Sequence, residues 1–206
     1  MKTRKGAICL MLALSCNCLI GQYEFIYDQQ SSTNEFVPSY GSGGAMLTIP
    51  SPWGQSFTPV LNSVEFIRLK FNDGNRFDGL GATVYLNLRS DSMSGAILGT
   101  TDPVTMPSQF RGTEDFFFAG GVTVTTGVIY YFEVVEQSGG AWNIDGFSYH
   151  YPGGMFFYNG GTPLSGSDLW FREGIVIPEP AAGALLWLGL AGLLTCRWAR
   201  SSPQAL

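Results

Sequence analysis

The chain has 206 residues, and all sixteen of its acidic residues but only six of its basic ones fall between residues 22 and 180. That body carries about −10 at pH 7 (six minus sixteen), a charge that repels phosphate backbones and argues against nucleic-acid binding. The four cysteines, Cys9, Cys16, Cys18 and Cys196, all lie outside it, which excludes disulfide stapling and thiol chemistry in the body.

In chain order, residues 1–21 come first. Lys2, Arg4 and Lys5 precede an apolar stretch from Ala7 to Leu14, followed by small or polar residues. This is the layout of a secretory signal peptide, an N-terminal helix that hands the chain to the Sec machinery, and it is too short to span a bilayer comfortably. Cleavage near Cys16-Asn17-Cys18 or after Gly21 both fit, whereas the residues before either cysteine fit a lipoprotein site poorly. Residues 22–52 are rich in Ser and Gly and read as a loop or an added edge strand.

Residues 53–177 alternate with period two. Ala82, Val84, Leu86 and Leu88 share one face of a predicted strand, and Thr83, Tyr85, Asn87 and Arg89 the other. In "SVEFIRLKF", Glu65, Ile67, Leu69 and Phe71 share a face, and Arg68 and Lys70 fall with Val64 and Phe66. "FFFAGGVTVTT", "GVIYYFEVVEQ", "GMFFYNGG" and "SDLWFREGIVI" are rich in β-branched and aromatic residues. Turn residues separate them, and 22 of the 27 glycines lie in the body (five fall outside it). The pattern predicts an all-β fold of about eight to ten short strands in a two-sheet, jelly-roll-like β-sandwich.

Candidate chemistry is sparse. His150 is the only histidine, so any Ser-His-Asp arrangement would have to use it; its setting, "GFSYHYPGG", predicts an exposed loop. Asn72, Asp73, Asn75 and Asp78 cluster in "FNDGNRFDG", where close oxygen ligands could hold a structural calcium ion. The segment lacks an EF-hand register, and Asn-Asp-Gly-Asn first predicts a hairpin turn. No other cofactor is implied. Glu114-Asp115 and Glu133/Glu136 are the nearest carboxylate pairs for a glycosidase, and acids on an acidic strand surface are ordinarily solvated. Trp142, Tyr149, Tyr151 and Tyr158 gather among Gly, Asn and Asp in the last third. Rings with polar handles can stack on sugars, so these four form a candidate carbohydrate-binding surface; packing within the sandwich is the plainer role for each.

The tail, residues 178–202, is the most specific feature. Pro178-Glu179-Pro180 precedes sixteen uncharged residues, Ala181 to Cys196, and then Arg197 and Arg200. As a helix the run would extend roughly 24 Å, a little short of a bilayer core, and the arginines would hold its end in the cytoplasm. The body would then lie outside the membrane. These parts in this order resemble the PEP-CTERM sorting signal of Gram-negative bacteria. The resemblance implies recognition by an exosortase and cleavage near Pro178-Glu179-Pro180, with delivery to the cell envelope or to a biofilm matrix. The body also resembles a loose family of exported bacterial sandwich domains. Its markers are "WGQSFTP", "LRSD", "TGVIYYFEV", "YPGG", "FFYNGG" and "DLWFR", from Trp53 to Glu173. Together these features predict an exported, non-enzymatic envelope or matrix protein. The alternatives are a lectin-like carbohydrate-binding module and, second, a jelly-roll glycoside hydrolase.

Overall fold

The computed structural model describes residues 23–36, 44–47, 53–159 and 161–178. The predicted signal helix, the apolar C-terminal helix, Glu179, Pro180, Arg197 and Arg200 lie outside the described residues, and Pro178 is the last of them. Residues Glu24–Ile177 form one unit.

The strands are β1 (Tyr23–Gln30), β2 (Gly44–Leu47), β3 (Trp53–Phe57), β4 (Ser63–Asp73), β5 (Ala82–Ser90), β6 (Ile97–Thr100) and β7 (Val104–Met106). There follow β8 (Arg111–Thr123), β9 (Tyr130–Gly139), β10 (Trp142–Tyr149), β11 (Phe156–Tyr158), β12 (Thr162–Leu164), β13 (Asp168–Leu169) and β14 (Phe171–Pro178). The described residues are thus all-β, with more strands than the eight to ten predicted. The surplus comes from elements of two to four residues, such as β13 and β6, which are too short to show a period.

Two antiparallel sheets form. Sheet one runs β1-β14-β4-β10-β13, with β8 on the other side of β4 and β2 on β10. Sheet two runs β12-β11-β3-β9-β5-β6, with β7 also on β5. They face each other as in a β-sandwich. Phe171 of sheet one meets Phe132 and Phe57 of sheet two at ring-centre distances of 5.6 and 6.4 Å. Ala82, Val84, Leu86 and Leu88 all enter this core, as the alternation predicts, and so do Ile67, Leu69 and Phe71 of β4. A buried polar tie crosses between the sheets. The Gln55 side chain on β3 donates to Asp168 Oδ1 (2.6 Å) and accepts from the Leu169 amide (3.0 Å) on β13.

One expectation is corrected. "FNDGNRFDG" forms a turn, but not a hairpin. β4 pairs within sheet one and β5 within sheet two, so the turn carries the chain from one sheet to the other. Turn residues specify that the chain reverses, whereas strand partners are chosen by the long-range packing of each apolar face.

Candidate functional site

The sequence-predicted residues are dispersed. Trp142 is fully buried in the core and stacks near Phe110 (6.3 Å). Tyr151 is buried too: its hydroxyl donates to Gln29 Oε1 (2.9 Å), and burial raises its pKa. Tyr158, on β11 in sheet two, is half-buried beside Trp53 and Phe156. Tyr149, on β10, is half-buried, and its hydroxyl donates to Asp145 Oδ2 (2.8 Å). Burial, then that hydrogen bond, raises its pKa strongly. His150 is exposed, at the rim of a shallow groove of about 240 Å³ shared with Tyr151, Pro152 and Met155.

Oxygens proposed for calcium are already engaged in hydrogen bonds within the protein. Asp73 Oδ1 accepts from the Asn75 amide (2.8 Å) and Oδ2 from the Gln109 amide (2.7 Å). Asp78 Oδ1 accepts from the Leu80 amide (2.8 Å), and Asn72 Oδ1 accepts from Asn143 (3.1 Å). The Asn75 and Leu80 bonds are short-range turn bonds of the kind Asp and Asn favour, whereas the Gln109 and Asn143 bonds tie this segment to distant parts of the chain. Among the described residues, no three His, Cys, Asp or Glu side chains stand together as a metal site.

The acid pairs are likewise engaged or separated. Glu133 accepts from Arg89 (2.7 Å) and Asn87 (2.9 Å). Asp115 takes the Arg68 guanidinium through both oxygens, and its neighbour Glu114 points to the opposite face of β8. Burial raises the pKa of Glu114 and of Glu136.

The most organised side-chain array lies on the outer face of sheet one, among residues the alternation placed opposite the core. Antiparallel pairing sets Arg172 of β14 directly beside Arg68 of β4. Like charges at such a position repel. Two acids offset this. Asp115 pairs with Arg68 from β8, and Glu35 Oε1 bridges both cations, 2.7 Å from Arg172 Nη1 and 3.5 Å from Arg68 Nη1. Two residues along β4, Lys70 is almost wholly buried, with its ammonium 3.4 Å from Asp145. Burial lowers the Lys70 pKa and Asp145 pulls it back up; the Asp115 hydrogen bond raises that of Arg68.

Aromatic rings alternate with these cations. Arg68 lies 4.8 Å from the Phe25 ring and 5.8 Å from that of Tyr27. Arg172 lies 5.0 Å from Tyr27 and 5.2 Å from Trp170. Lys70 lies 4.6 Å from Trp170 and 5.8 Å from Tyr149. The order Phe25, Arg68, Tyr27, Arg172, Trp170, Lys70, Tyr149 is a ladder in which each cation meets two ring faces. Three of the body's six cations converge here, on an otherwise acidic molecule. Only Tyr149 of this set stood out in the sequence as a binding candidate. The available signal was the alternation of Arg68 and Lys70 with apolar residues along β4, which announces a polar face but not what covers it.

No family model matches the chain, and no curated protein matches it.

Proposed function

We propose that the chain is an exported, non-enzymatic protein of the cell envelope or extracellular matrix of a Gram-negative bacterium, delivered through the Sec machinery and processed or anchored through a PEP-CTERM tail. The observation that carries this reading is the order of parts at the two ends. A charged and then apolar start is matched by Pro178-Glu179-Pro180, the uncharged run Ala181 to Cys196, and Arg197 and Arg200. β14 ends at Pro178, so exosortase cleavage on the C-terminal side of that residue would leave every strand of the sandwich uncut. The jelly-roll-like reading is supported by the path of the chain: β3, β4, β5, β8, β9, β10, β11 and β13 fall alternately in sheet two and sheet one except at short edge strands. The non-enzymatic reading is supported by the ion pairs that engage Asp115 and Glu133.

The test is the intact mass of the protein recovered from the host envelope and medium. A C-terminus near Pro178-Glu179-Pro180 supports sorting; a mass that retains Leu206 overturns release and leaves an anchor. A lectin-like module is the second reading, favoured by the half-buried Tyr149 ring at one end of the ladder. Unchanged polysaccharide retention by Tyr149→Ala would remove it.

A further inference from the structure

Residues Ser31–Phe36 follow β1 as an irregular strap across the outer face of sheet one, and the ladder holds them by their main chain. Arg172 Nε donates to the Ser32 carbonyl (3.1 Å). Trp170 Nε1 and Lys70 Nζ both donate to the Asn34 carbonyl (2.8 and 3.2 Å). Lys70 Nζ also donates to the Phe36 carbonyl (2.9 Å). The carbonyls of residues 32, 34 and 36 therefore turn toward the ladder, at the two-residue repeat of an extended chain. The one strap side chain bound by the ladder's cations is the Glu35 carboxylate. The strap itself is open to solvent, with the Glu35 side chain 51% and Phe36 71% exposed, whereas Lys70, Trp170 and Arg172 beneath it are buried.

We propose that this ladder is a binding site for an extended acidic peptide, and that Ser32–Phe36 fills it in cis as a pseudo-ligand. The charges give the reason for exchange. Arg68 keeps Asp115 and Lys70 keeps Asp145 when the strap lifts, but Arg172 loses its ion pair with Glu35. Arg172 is then an uncovered cation that has lost its carboxylate, so the site favours a replacement carboxylate. The three buried donors call equally for a row of carbonyls. A peptide meets both demands. An acidic polysaccharide supplies carboxylates but no carbonyl row at that repeat. Nothing here depends on the sorting reading, since a chain that keeps its tail presents the same face.

The test uses the full chain and a fluorescein-labelled Ser-Ser-Thr-Asn-Glu-Phe peptide in anisotropy titrations. Glu35→Ala weakens the internal competitor, so this variant is expected to bind the peptide about tenfold more tightly than the unmodified chain. A peptide with Gln in place of its Glu is expected to bind about tenfold more weakly than the Glu peptide. Equal binding of the two peptides overturns the proposal, as does an unchanged affinity in Glu35→Ala. A galacturonate hexamer binding as tightly as the peptide overturns it in favour of a polysaccharide site. Hydrogen exchange on the unmodified chain decides independently of how the variant folds. Millimolar peptide is expected to speed exchange at the amides of Asn34, Glu35 and Phe36 and leave β4 unchanged; no change there overturns the proposal.

Discussion

The two faces of sheet one are built from the same strands by different physics. Toward sheet two, β4 and β14 present Ile67, Leu69, Phe71 and Phe171, which pack into an apolar core. Away from it, the intervening residues are Arg68, Lys70 and Arg172, covered by β1 rings and the 31–36 strap. The inner face gains stability from area removed from water, which requires no particular partner. The outer face buries charge, which is stable only while each cation keeps its acid, its ring and its carbonyl. One face is tolerant in detail and the other is conditional on a strap that a competitor can replace.

Glu173 violates the division. It continues the inward-facing series after Phe171, and it is completely buried, beside the Gln29 backbone and the Asp28 carboxylate. Burial, reinforced by the nearby Asp28 carboxylate, pushes its pKa up to about 9. An acid on the apolar face thus behaves as that face demands, by remaining neutral.

The largest expected effect tests the inner face. Phe171→Ala empties the ring position shared with Phe57, Phe132 and Tyr151 and should cost about 3–5 kcal/mol in urea unfolding. A loss near 1 kcal/mol would mean that the sheets are not held through this ring.

Glu173→Gln comes next and has the opposite sign. The unfolded chain releases the Glu173 proton near 4.5, while the folded chain keeps it up to about 9. Across that interval the unfolded state has shed a proton that the folded state retains, so wild-type stability falls as pH rises. Gln has no proton to lose. The variant should therefore be more stable than wild type by about 2–3 kcal/mol at pH 7, with the gain vanishing toward pH 4. Parallel pH profiles of the two unfolding curves would refute this.

Smaller effects should separate the two outer faces. On sheet two, Arg89→Ala should cost about 1–2 kcal/mol with little salt dependence, because Arg89 and Glu133 are only 16% and 13% exposed, although Asn87 continues to donate to Glu133. Glu35→Gln removes the acid that bridges Arg68 and Arg172, yet Glu35 is half-exposed, so the loss should be about 1 kcal/mol and should shrink in high salt. Equal salt sensitivity in these two variants would erase the proposed difference between a half-exposed, strap-dependent pair and a largely buried one.

The strand content was legible because alternation reports burial directly. β5 matches its predicted residues, and the apolar face of β4 enters the core as read. Short elements such as β13 were not legible, since two residues carry no period. The binding candidates were read from residue type, and type does not distinguish a ring in the core from a ring on a surface. Trp142 and Tyr151 are buried, whereas Phe25 and Tyr27, which flank Arg68, carried no motif.

By itself, the sequence determined the all-β character of the body, the inward faces of its longest strands and its acidic balance. These are local or additive properties, written in the period of the chain and in a count of charges. Only the tertiary structure decided that the turn after β4 passes between sheets, that Arg172 lies beside Arg68, and that Glu35 joins them. Those pairings link residues far apart along the chain. The packing of apolar faces, rather than the charges themselves, selects the strand register that brings them together.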